Sequence, residues 1–307
     1  MLAAPDITPL LAHVGGGVFV PLQVTGITII TVAYLLRSVS LAQRGRPVGA
    51  WHQIAFYSGI GVIAFAFVSP IAHIGEELIF VHMIQHLLIG DIAALLIVLG
   101  LTRAILAPLM AIKIFDKLKI LIHPAVALPL WIVNMFFWHL PFVYDATVTN
   151  DTVHALQHIG FINAGIIFWM PVAGPLPIPR WFGGGAQLTY VAISRLASAG
   201  LGNILMWSGT VLYPAYLPGE EYWGIDPLAD QGIAGAIMMG EGTLITLGLL
   251  FWLLVRWSER ENRKQALLEL VDRLGAPVTE ERIDRAVAAG QGKRLQQWIL
   301  DRYDNPT

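Results

Sequence analysis

The sequence predicts an all-α membrane protein: seven transmembrane helices, N-terminus outside, C-terminus cytoplasmic, and a short helical cytoplasmic tail. Three observations carry that prediction. Of the 307 residues, 56% are hydrophobic and only 13% charged, whereas soluble domains carry about 25% charged residues. Seven apolar runs are each long enough to cross a bilayer, which takes roughly 20 helical residues. Lysine and arginine fall almost entirely in alternate connections, the pattern expected of cytoplasmic loops.

The runs lie near residues 16–36, 51–69, 78–100, 122–141, 152–172, 187–212 and 232–255. No basic stretch precedes the first, so it reads as a retained span rather than a cleaved signal. Arg37, Arg44 and Arg46 follow it. After the third run, residues 103–120 set Lys113, Lys117 and Lys119 among apolar residues, the pattern of a short amphipathic helix lying on the membrane surface. Pro21, Pro124 and Pro129 fall near span ends or inside helices, where neighbouring helices tolerate them. The stretch 173–185, rich in proline and glycine and carrying Arg180, reads as an irregular turn. Ten further basic residues begin at Arg256. The opposite connections hold only acids: Asp6, Glu76, Glu77, Asp145, Asp151, Glu220, Glu221, Asp226 and Asp230.

This divides the chain into a seven-span domain, 1–257, and a helical tail, 258–307. In the tail a first helix closes at Gly275 and Pro277. Thr279 then caps a second, with Glu280 and Glu281 in its first turn, and a third runs over 293–303. A solvated helical appendage explains this segment without a partner.

Composition also excludes several kinds of chemistry. With no cysteine, disulfides, thiolate nucleophiles, iron–sulfur clusters, thiolate metal sites and covalent haem attachment are all ruled out. A net charge of -2 offers no bulk attraction to nucleic acid.

The feature that points to a function is a phrase that occurs twice, His82-Met83-Ile84-Gln85-His86 and His154-Ala155-Leu156-Gln157-His158. On a helix, residues four apart share a face, so each copy presents a pair of imidazoles. The charge pattern places both copies in the outer half of inward-running spans. Ionisable residues inside a membrane are rare and mark function by default. His82, His86, His154 and His158 are therefore the candidate metal ligands. His139, in Trp138-His139-Leu140-Pro141, and His73 supplement them. His13, His52 and His123, each alone near a span end, read as interfacial residues.

Imidazole suits zinc, copper, iron and nickel. Met83 adjoins His82 but faces elsewhere, whereas Met135 precedes His139 by four residues and shares its face. Met206, Met238 and Met239 are further thioethers, and methionine in a membrane helix is usually packing. Gln85 and Gln157 are placed to orient the imidazoles. Deeper in the spans, Asp91 and Arg195 fall at similar depth, where pairing would relieve two buried charges at once. Glu241, in the last span, is a further candidate proton acceptor or supporting carboxylate.

Taken together, these motifs resemble the CtaG-type cytochrome c oxidase assembly factors, seven-span bacterial membrane proteins. The matching elements are Ser69-Pro70, the first histidine phrase, Trp138-His139-Leu140-Pro141 with Tyr144-Asp145, the second phrase, and Phe168-Trp169. The resemblance covers nearly the whole chain. It implies a non-enzymatic role in maturing a haem–copper oxidase at the bacterial plasma membrane by binding and delivering copper. It also implies oxidase subunits and extracytoplasmic copper chaperones as partners. Two rivals remain. One is a membrane redox protein with bis-histidine haem, although close i,i+4 pairs suit a compact metal better than a porphyrin. The other is a copper or proton transporter using Asp91, Arg195 and Glu241 as an inner relay.

Overall fold

The computed structural model describes residues 19–304, the side chains of residues 19–23, of Glu241 and of a few positions near it excepted. His13 and the start of the first predicted span lie outside the described residues. Among those described, the protein is helical and has no strand.

Helix α1 is Phe19–Gln43, α2 Ala50–Val68, α3 Ile79–Gly100, α4 Pro124–Trp138, α5 Asp151–Ala173, α6 Gly184–Trp207 and α7 Pro227–Leu274. Among the described residues, four helices are long and apolar enough to cross a membrane: Val24–Gln43 of α1, then α2, α3 and α5. A fifth candidate is a broken one, Lys113–Ile122 joined to α4 at a 73° bend. The fourth predicted run therefore contains a shorter straight helix than expected. Pro124 starts a new helix at its first position, and a helix of 15 residues reaches only about 22 Å at 1.5 Å per residue.

Other boundaries moved for local reasons. The predicted surface helix is two, Arg103–Met110 and Lys113–Leu118, followed by a 3-10 turn at Lys119–Ile122. The sixth run stops at Trp207, before Gly209 at φ 65°. Within α3, residues Leu88–Ala93 form a π-helical segment, an insertion that 3.6-residue periodicity does not reveal.

Glycines let several helices approach closely. A Cβ on Gly59 would meet Ile97 and the Ala93 carbonyl, and one on Gly100 would meet Phe56, which locks α2 against α3. Gly165 of α5 lies directly on the Gly90 carbonyl of the π segment, and Gly202 of α6 faces Gly235 of α7. Such small-residue contacts are how membrane helices gain packing energy. Tyr34 stacks on Phe56 at 3.7 Å and donates to the Gly100 carbonyl at 3.0 Å, tying α1 to the same group. Outward positions such as Ile29, Leu36, Val133, Leu196 and Trp207 remain exposed, an apolar exterior suited to lipid.

The chain separates into two compact units, Met1–Leu244 and Ile245–Thr307, with the division inside α7. In the second unit, α8 (Glu280–Ala288) and α9 (Gly292–Ile299) bury Ile283, Leu295 and Ile299 against Leu267 and Leu270. Lys264 bridges Glu280 and Asp284 at 2.7 and 2.9 Å. Thr279 occupies the cap position of α8 but its side chain makes no capping bond; the acidic first turn supplies the favourable dipole interaction instead.

Candidate functional site

The two histidine phrases meet at the N-terminal ends of α3 and α5. Each end is anchored by a cap. Asn150 Oδ1 accepts from the Thr152 and Val153 amides at 2.9 and 3.2 Å, which starts α5 one turn before His154. The start of α3 is capped from the other end of the chain. The Asp230 carboxylate accepts from the Ile79 and Phe80 amides at 3.0 and 2.9 Å, with Asp230 completely buried.

With those starts fixed, the imidazoles form one cluster. Ring centroids are 4.1 Å apart for His82–His86 and 4.3 Å for His154–His158. Across the helices they are 5.3 Å for His82–His154 and 5.5 Å for His86–His158. Phe67, Phe161 and Tyr144 pack around the group. His82, His86 and His158 are buried, and His154 is partly buried.

The hydrogen bonding around these rings decides what they can do. His82 Nδ1 lies 3.2 Å from the Gly75 carbonyl and 3.0 Å from the Tyr216 hydroxyl. A carbonyl only accepts, so its bond places the proton on Nδ1 and leaves the Nε2 lone pair free. His139 repeats the arrangement, with Nδ1 2.7 Å from the Met135 carbonyl. Nε2 of His82, His139 and His154, and both ring nitrogens of His86 and His158, are buried without a hydrogen-bond partner. Buried polar atoms are almost always satisfied, and unpartnered imidazole nitrogens are the donor set a metal ion uses. The chemistry of these residues therefore fits a metal, but the ring nitrogens do not yet converge. Among the described residues no three His, Asp or Glu side chains are arranged to hold one ion.

The other predicted residues fall in various places. His73, on the short helix Pro70–Ile74, sits 3.7 Å from the Glu77 carboxylate. Gln85 donates to the Ala66 carbonyl at 2.9 Å, so its amide fastens α3 to α2. Gln157 is completely buried and approaches His82. Asp91 lies in the π segment and pairs with Arg195, Nη2 to Oδ1 at 3.0 Å and Nη1 to Oδ2 at 3.5 Å. The side chain of Glu241 lies outside the described residues. His52 meets the Leu99 carbonyl at 2.8 Å and His123 caps α4, which are structural uses. Met83 lines one small cavity with His86 and His139, and not with His82, because it stands three residues before His86 and shares that face.

The sequence reading missed a set of tyrosines and acids that closes the cluster. Tyr216 touches His82, Tyr213 donates to the His139 carbonyl at 2.9 Å, and Tyr144 packs between them. Glu220 and Asp230, counted only as outer-loop charge, are both buried. Burial, and then the nearby Asp230 carboxylate, raise the Glu220 carboxyl to about 7. The Tyr213-Pro214-Ala215-Tyr216 phrase was the available signal, two aromatics in a segment otherwise taken as loop.

A model of the cytochrome c oxidase caa3 assembly factors matches residues 32–260. The chain belongs to this family. Among curated proteins, uncharacterized proteins of Mycobacterium bovis and Mycobacterium tuberculosis are each 22% identical over 256 residues, covering 76% of this chain and 38% of theirs. An uncharacterized Mycobacterium leprae protein is 21% identical over 252 residues, with the same coverage. The chain thus spans 38% of the length of the curated relatives it matches. No solved structure matches. The family match covers α2 to α6 whole and the C-terminal part of α1, and so takes in the whole imidazole cluster.

Proposed function

We propose that this chain assists assembly of a cytochrome c oxidase in the bacterial plasma membrane, taking copper at the imidazole cluster and passing it to an oxidase subunit. The observation that carries the copper reading is the meeting of four histidines, from two distant phrases, with buried and unpartnered ring nitrogens. In this reading copper is cargo and no chemical turnover is required. His82, His86, His154 and His158 hold it through ring nitrogens, and His139 and His73 assist. Residues that pin His82 Nδ1, the Gly75 carbonyl and Tyr216, keep Nε2 available as a ligand. Extracytoplasmic copper chaperones and oxidase subunits are the partners. In the same reading α6 and α7 complete seven spans, with the histidine end outermost, where acidic connections attract cations.

Haem fits less well. The facing rings of the two helices already contact one another at 5.3–5.5 Å, and aromatic side chains fill the surroundings.

The test is elemental analysis of the full chain in detergent micelles, with oxidase activity of cells carrying the same variants. His86→Ala with His158→Ala is expected to lower both bound copper and oxidase activity while the protein still inserts. Unchanged copper content would overturn the ligand assignment. An intense Soret band with little copper would favour haem.

A further inference from the structure

Beside the imidazole cluster lies a small cavity of about 30 Å³. A single water needs about 10–15 Å³, so the space admits one small guest. Its wall is unusual in composition. Met83 of α3, Met135 of α4 and Met238 of α7 border it together with His86 and His139. All five side chains are at most 5% exposed. His139 Nε2 and both nitrogens of His86 lack hydrogen-bond partners.

We propose that this void is a second metal site, for a soft monovalent cation such as Cu(I), with thioether donors from Met83, Met135 and Met238 and imidazole donors from His139 and His86. Methionine in a core normally fills gaps, yet here three of them, from three helices, surround a gap that stays open. A water in that space would bond the imidazoles well and gain little from the sulfurs, which are weak acceptors. A soft cation uses both donor types, since thioethers and imidazoles together favour Cu(I).

Charge argues in the same direction. All five donors are neutral, and the cost of burying an ion rises with the square of its charge, so a monovalent ion is far less costly here than a divalent one. Asp91 also borders the void, with both of its carboxylate oxygens on Arg195, so that no unpaired charge faces the guest. The Met135 carbonyl fixes the His139 tautomer, so Nε2 carries a lone pair.

The site goes beyond the imidazole cluster, sharing His86 with its four ligands and His139 with its assisting residues. The experiment separates the two. The full chain in detergent micelles is titrated with Cu(I) against a chromophoric Cu(I) chelator under reducing conditions, and the bound metal is examined by X-ray absorption. The variants are Met135→Leu with Met238→Leu, which conserve volume, and His154→Ala with His158→Ala. A sulfur shell is expected in the native chain. It should disappear in the methionine variant, with affinity lower by an order of magnitude or more, and persist in the histidine variant. A nitrogen-only shell in the native chain, or unchanged affinity in the methionine variant, would overturn this site and leave the imidazole cluster standing. A sulfur shell with copper content untouched by the histidine variant would sink the cluster instead.

Discussion

Replacing Arg195 by leucine would strand the Asp91 carboxylate inside the helix bundle. The two side chains are 10% and 7% exposed and meet through both terminal guanidinium nitrogens, at 3.0 and 3.5 Å. Removing one partner of such a pair costs about 3–5 kcal/mol, because the other charge stays buried and uncompensated. Asp91→Asn alone should cost a similar amount, since it strands Arg195. The double variant Asp91→Asn with Arg195→Leu removes both charges and should recover about 0.5–3 kcal/mol of the summed loss, the range seen for directly coupled residues. Unfolding in mixed micelles, followed by tryptophan fluorescence across the four chains of this cycle, measures the coupling. If the two single costs simply add, the pair is not a structural clamp. If instead Asp91→Asn leaves stability intact but abolishes cation movement into proteoliposomes, Asp91 serves as a relay, and the ion-pair reasoning fails.

Asp230→Ala removes the acceptor for the Ile79 and Phe80 amides; loss of a cap costs about 0.5–2 kcal/mol. Hydrogen exchange should quicken over residues 79–83, and unchanged exchange there would show that another group caps α3. Gly165→Ala sets a methyl against the Gly90 carbonyl and Ala94, and overpacking of this kind costs about 1–3 kcal/mol. A lower unfolding midpoint is expected, and a variant as stable as the native chain would mean that α3 and α5 separate easily. Glu220 supplies the pH dependence. Its carboxyl is raised from 4.5 to about 7 in the folded protein, so the folded state holds the proton more tightly. Its contribution to stability is full below 4.5 and is lost as pH rises through about 7. Glu220→Gln should flatten the unfolding midpoint across that window, and an unchanged profile would assign the dependence to another group.

The sequence carried what depends on spacing along one helix, and it failed where the deciding contact crosses between distant segments. The paired histidines were legible because i,i+4 geometry is local, and the Asp91–Arg195 pair because charge bookkeeping fixes depth. Asp230 was readable only as a loop acid. Its partner amides lie 151 and 150 positions away, and no local rule links them. The same limit explains Met83. It was judged against its neighbour His82, whereas its relevant relation is to His86 on the same face and to Met135 and Met238 on other helices. Periodicity also assumes a uniform helix, and the π segment at Leu88–Ala93 breaks that assumption between His86 and Asp91. That segment sits against Gly165 at the border of the thioether-lined void. The least legible part of α3 is thus the part that links the imidazole cluster to the buried ion pair.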